Sequence, residues 1–192
     1  MATYKNTKEK VLVVAAHPDD ELLGVAGTIC RHRDQGDSLA ILILANGEDS
    51  REKGADGAKR FGQAEKVAKS LGAKLFLENF PDNQFDSVPL LKIAKCVEGV
   101  IAKVKPTIIY THYAHDLNVD HRLACQATIT ACRPMPGAPT RKIFSFETLS
   151  ATEWQIKDFR QFAPNHYVDI SKYLKQKQSL LKIYNDEMRP YP

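Results

Sequence analysis

The chain has 192 residues, 43% of them hydrophobic and 26% charged, with a formal net charge of +4. This composition is that of a folded globular protein, which argues against disorder, and the apolar runs are far shorter than a membrane span. The positive balance is mild and the lysines fall at solvent-face spacing, which argues against a nucleic-acid surface. The length suits one domain over 1–192, and the N-terminal residues carry no apolar signal core, so a soluble, cytoplasmic protein is expected. Cys30, Cys96, Cys125 and Cys132 form no C-x-x-C pair and read as reduced core thiols.

In chain order, Val11 to Ala16 is an unbroken apolar run that predicts a strand buried on both faces and stopping at His17. A helix follows from Glu21 to Gln35, with Gly24 and Gly27 allowing close approach to the sheet. Gly36 suits a helix end, and Ser38 to Ala45 predicts a second buried strand. Asn46 to Asp56 reads as a polar loop. The spacing of Phe61, Ala64, Val67, Ala68 and Leu71 predicts a helix from about Asp56 to Leu71, and Lys74 to Leu77 a short third strand. Leu90 to Val104 predicts an amphipathic helix that must stop before Pro106, and Thr107 to His112 a fourth strand. Asn118 to Cys132 reads as a helix and Arg141 to Phe146 as a fifth strand. Tyr167 to Ile170 reads as a sixth strand, and Ser171 to Asn185 as a terminal helix capped by Ser171.

Strand and helix alternate almost throughout. That pattern predicts an α/β fold of three layers, Rossmann-like, with a mostly parallel sheet of order about 3-2-1-4-5 and helices on both faces. In that order strands one and four are neighbours at the switch point, where open α/β sheets bind ligands beyond the carboxyl ends of their strands. Two polar clusters sit there, His17-Pro18-Asp19-Asp20-Glu21 after strand one and His115 to Arg122 after strand four, so they are expected to face one crevice.

A dinucleotide site would require glycines at the first turn, whereas three carboxylates there repel phosphate and attract a cation. Helix capping explains one aspartate, but neither His17 nor the second cluster aimed at the same place. Hydrolytic zinc sites take three N or O ligands and keep a position for water, and His17, Asp20 and His121 would supply that set. By spacing alone, Asp19 and Asp20 are interchangeable between ligand and base. Arg51, Asp82, Asn118 and Arg122 are candidates for hydrogen bonds to a substrate, the competing reading being surface ion pairs or loop caps.

The run Ala16 to Glu21 resembles the signature of the LmbE/PIG-L family of zinc-dependent N-acetyl-sugar deacetylases. The similarity continues through Asp116 to Arg122, Thr148 to Trp154 and Pro164 to Ile170. The resemblance implies His17, Asp20 and His121 as ligands of Zn2+ or another divalent transition metal, and Asp19 as general base. It implies a small-molecule substrate, an N-acetylamino sugar or its conjugate. Relatives place a tyrosine and a histidine where this chain has Asp116 and Asn118, so the second catalytic group is expected to be His115, with His112 the next candidate. Relatives also continue past a Pro-His-Pro-Arg-Ser-like segment, which implies a substrate wall that is missing here or completed by another subunit of a homo-oligomer. The alternative function is a catalytically altered relative that binds a sugar or nucleotide.

Overall fold

The computed structural model describes residues 8–47, 57–149, 151–154 and 160–185. Five parallel strands make one sheet: β1 (Lys10–Ala15), β2 (Ser38–Ala45), β3 (Lys74–Phe80), β4 (Ile108–His112) and β5 (Lys142–Phe146). Their order is β3-β2-β1-β4-β5, as the alternation predicts. The helices are α1 (Asp20–Asp34), α2 (Gly57–Leu71), α3 (Leu90–Val104), α4 (Val119–Ala131) and α5 (Leu174–Leu181).

Side chains alternate across a strand, so the apolar run of β1 feeds two cores. Val11, Val13 and Ala15 pack with Leu22, Val25 and Ile29 of α1, Val67 of α2 and Leu180 of α5. Leu12, Val14 and Ala16 pack on the other face with Ile93 and Val97 of α3 and Ala124 and Ala127 of α4. The result is a three-layer sandwich whose central strand is dry on both sides, which holds the turn after Ala16 on a rigid base. None of the helices among the described residues is long and apolar enough to cross a membrane.

Several details differ from the sequence expectation. β3 runs on to Phe80 because an irregularity between Ile43 and Ala45 lets Ala45 pair with Phe80. Residues 167–170 form no sixth strand, since Ile170 lies against Gly27 of α1 instead of beside β5. The terminal helix is correspondingly shorter. A 3-10 turn, Ser171–Tyr173, precedes α5, and the residue that holds its start is Asp169, whose Oδ1 accepts the Ser171 N–H at 2.9 Å.

Candidate metal centre

β1 and β4 are adjacent, so the loops leaving their carboxyl ends share one crevice. The first loop makes a tight turn at Pro18 and Asp19, with Asp19 at φ 110° and ψ −32°, a left-handed conformation that L residues adopt only when their surroundings hold it. The Asp19 side chain makes no cap bond to α1. The capping explanation of these aspartates therefore does not describe this turn. Asp20 folds back so that its Oδ2 accepts the His17 N–H at 2.9 Å.

Three donor atoms converge on that carboxylate's side of the turn. His17 Nδ1 lies 3.4 Å and His121 Nε2 3.3 Å from Asp20 Oδ2, and the ligand atoms of His17, Asp20 and His121 all fall within 4.8 Å of one another. All three residues are buried. It is Asp20, not Asp19, that sits between the imidazoles.

The far nitrogen of each ring is held by carboxylates. His17 Nε2 is 3.0 Å from Asp120 Oδ2 and 3.1 Å from Asp82 Oδ1. His121 Nδ1 is 3.1 Å from Asp116 Oδ1. Asp116 is in turn fixed by the Thr152 hydroxyl, which donates to its Oδ2 at 2.5 Å, and by the Asn118 N–H at 2.9 Å. Asp120 grips the loop after β3, accepting the N–H groups of Asn83 at 2.7 Å and Phe85 at 3.0 Å. Carboxylates on the outward nitrogens favour the tautomers with the proton outward, so the inward nitrogens, which bond to the Asp20 carboxylate while protonated, are the ones that a cation displacing those protons would meet. Two nitrogens and one oxygen converging on one point form a donor set that suits zinc and its neighbours once the inward protons are displaced.

The electrostatics show the same demand for positive charge. Burial pushes His121 down, but the Asp20 charge and the bond to Asp116 outweigh it and raise the ring to about 9. Burial likewise opposes the His17 cation, and bonding to Asp120, Asp20 and Asp82 lifts it well above the ordinary value. Burial pushes the Asp20 carboxyl up, yet the charge of His121 and the bonds from His121 and His17 leave it well below its usual range.

His112 behaves differently. It is fully buried, its Nε2 accepts the Ala16 N–H at 2.9 Å, and its Nδ1 lies 3.2 Å from the Thr148 hydroxyl. Burial and the charge of His121 lower it to about 3. The ring is a neutral bond between β1 and β4 stacked on His121, with centroids 4.0 Å apart, and it has no proton to supply as an acid.

The remaining sequence candidates fall as follows. Asp19 is outside the three-residue group, with its side chain 15% exposed and its Oδ2 3.7 Å from Arg60 Nη2. His115 lies half-buried on the loop before α4 with its ring edge-on to Tyr113, and no described hydrogen bond or ion pair joins it to the three donors. Asp82 is buried against His17. Asn118 caps α4, its side chain accepting the Asp120 N–H at 2.8 Å. Arg122 donates to the carbonyl oxygens of Asp116 and Leu117 at 2.7 and 2.6 Å. Arg51 lies outside the described residues. Sequence reasoning missed Asp116, Asp120 and Thr152 as the groups that orient the imidazoles.

A family model described as PIG-L, GlcNAc-PI de-N-acetylase, matches residues 12–132, well over half of the chain and inclusive of both clusters' donors. The chain is 28% identical over 152 residues to an uncharacterized deacetylase, YaiS, of Escherichia coli, covering 76% of this chain and 77% of that protein. It is 29% identical over 136 residues to a probable N-acetyl-alpha-D-glucosaminyl L-malate deacetylase 2 of Bacillus cereus, covering 66% of this chain and 62% of the relative. Among solved structures, N,N'-diacetylchitobiose deacetylase from Pyrococcus horikoshii superposes with a TM-score of 0.75 at 20% identity, covering 95% of this chain and 72% of that one. This last likeness establishes the shared fold.

Proposed function

The chain belongs to the PIG-L family, and on that premise we propose that it is a metal-dependent hydrolase that removes the acetyl group from an N-acetylamino sugar or its conjugate. The observation that carries this reading is the convergence of His17 Nδ1, Asp20 Oδ2 and His121 Nε2, with both outward nitrogens held by carboxylates. Zinc is the proposed metal, although two imidazoles and a carboxylate also accept iron, cobalt or nickel. The relatives named for a glucosaminyl malate and for diacetylchitobiose support an amino-sugar substrate.

His17, Asp20 and His121 would hold a divalent cation, which would supply Lewis-acid polarisation of the amide carbonyl and acidify a water at neutral pH. Asp19 stands next to the Asp20 ligand and reaches the surface, so it is assigned the proton of the attacking water. The water oxygen bonds to the acetyl carbon, the C–N bond breaks as Asp19 returns its proton to the leaving nitrogen, and the acetic acid so formed gives its remaining proton to the free amine, leaving acetate and an ammonium group. His115 is the other proton carrier in reach of the sequence pattern, and the geometry favours Asp19 because the His115 ring is packed on Tyr113.

Elemental analysis of protein purified without chelator, together with amine release from N-acetylglucosamine, tests the assignment. About one divalent ion per chain is expected in the wild type and loss of it in His17→Ala and His121→Ala. Asp19→Asn is expected to keep the ion and lose roughly 10²–10⁴-fold in kcat, the usual contribution of a positioned base. A metal-free wild type that takes up no added zinc would sink the reading.

A further inference from the structure

The turn that carries Asp19 is held from the far end of the chain. Glu21, 1% exposed, places Oε2 at 3.0 Å from the Asp19 N, whose N–H it accepts. Its other oxygen, Oε1, accepts the hydroxyl of Tyr184 at 2.8 Å. Tyr184 is itself 1% exposed and lies just beyond α5. The neighbouring residue Asn185 accepts a bond from Gln63 Nε2 of α2 at 2.9 Å. Arg60, one helical turn earlier on α2, donates to the Pro18 carbonyl at 2.6 Å. Residues from two helices thus converge under the Pro18–Asp19 peptide.

Two features make this more than packing. Asp19 adopts φ 110°, which an L residue does not keep without outside bonds, and its N–H is one of the groups that fix that angle. A carboxylate buried among the apolar residues of α1 is also unfavourable unless both oxygens are bonded, and here one oxygen goes to Tyr184 and the other to the Asp19 backbone. The side chain of a residue in a strained turn points where its backbone directs it, so the geometry of the Asp19 carboxylate depends on this bridge.

We propose that Tyr184 is a positioning residue for Asp19, acting through Glu21. The proposal rests on the reading of Asp19 as the general base. Tyr184 and Glu21 touch neither the three donor atoms nor the reacting bond. They set the angle at which the base is presented.

Tyr184→Phe removes one hydroxyl and keeps the ring. In the zinc-loaded protein this variant is expected to retain one ion per chain. Its kcat for amine release from N-acetylglucosamine is expected to fall about tenfold, the loss of one hydrogen bond, with KM changed by less than about twofold. The Asp19 amide, followed by NMR hydrogen exchange, should exchange about tenfold faster while the Val13 amide in β1 is unchanged. Glu21→Leu should show the same two effects, Glu21→Gln, which keeps an acceptor, should restore most of kcat, and the double variant Glu21→Leu with Tyr184→Phe should be no slower than Glu21→Leu alone. Unchanged Asp19 exchange and unchanged kcat in Tyr184→Phe, or losses that multiply in the double variant, would overturn the proposal. The exchange readout needs no substrate, and Tyr184 and Glu21 variants that both fail to fold would equally overturn it, by showing a role in the core. Full activity in Asp19→Asn would instead remove the base assignment and leave the effect on exchange standing.

Discussion

Asp116 and Asp120 flank the three donor atoms without joining them, and each holds the ring nitrogen that faces away from the group. A carboxylate behind a ligating imidazole makes it more basic and locks its orientation, an effect commonly about 10–100-fold in metal affinity. Asp116→Asn keeps the shape and removes the charge. Its zinc affinity, measured by competition with a chromophoric chelator, is expected to fall by at least about tenfold. Unchanged affinity would mean that Thr152 and the loop backbone orient His121 without the charge. At this scale the two polar runs pointed to His17 and His121, but spacing left Asp19 and Asp20 interchangeable, and only the family resemblance singled out Asp20. The orienting carboxylates were not legible. Asp116 reaches forward along its own loop to His121, while Asp120 crosses to residues 83–85, and neither direction is written in residue spacing. Asp82 was expected to face a substrate and faces the His17 ring for the same reason.

Among the elements, α1 matters most, since its first residue is Asp20. A Cβ at Gly24 would run into the ring of Phe146 at the end of β5, and a Cβ at Gly27 would come within 2.7 Å of Ile170. Gly24→Ala must push α1 away from the sheet, and overpacking of this kind costs about 1–3 kcal/mol. A lower thermal midpoint is expected, with weaker metal binding because Asp20 moves with its helix. Gly62→Ala in α2 meets nothing within 4 Å and should stabilise by about 0.5–1 kcal/mol, so the pair of midpoints separates contact from propensity. Equal shifts in the two variants would show that α1 is not closely seated. The boundaries of β2 and α3 were legible since a glycine or proline stands within two residues of each. The 167–170 segment was misread because Val168 and Ile170 have strand-like residues, while the contact that decides their course is with Gly27, far away in the chain.

The whole molecule gathers six aspartates and glutamates, from the turns after β1, β3 and β4, around three imidazoles, and so the fold itself depends on how positive charge reaches that crevice. Without metal, protons take the cation's place. His121 titrates near 6.5 when unfolded and near 9 when folded, so the stability it contributes is complete below about pH 6.5 and is lost as pH rises through 9. Glu21 acts in the same direction: burial raises it from 4.5 to about 7, and the advantage of its protonated form disappears between those values. Asp20 and Asp116, both held below their ordinary range, contribute stability that is lost only as the medium becomes strongly acidic. The metal-free protein is therefore expected to lose thermal stability steadily from pH 6 to 9.5. A bound cation competes with the imidazole protons, so its stabilising effect grows as those protons become easier to displace. Thermal midpoints of chelator-treated and zinc-loaded protein should consequently diverge as pH rises across this window. A gap that stays constant from pH 6 to 9.5 would show that proton and metal do not share the His17, Asp20 and His121 group, and would place the bound ion elsewhere.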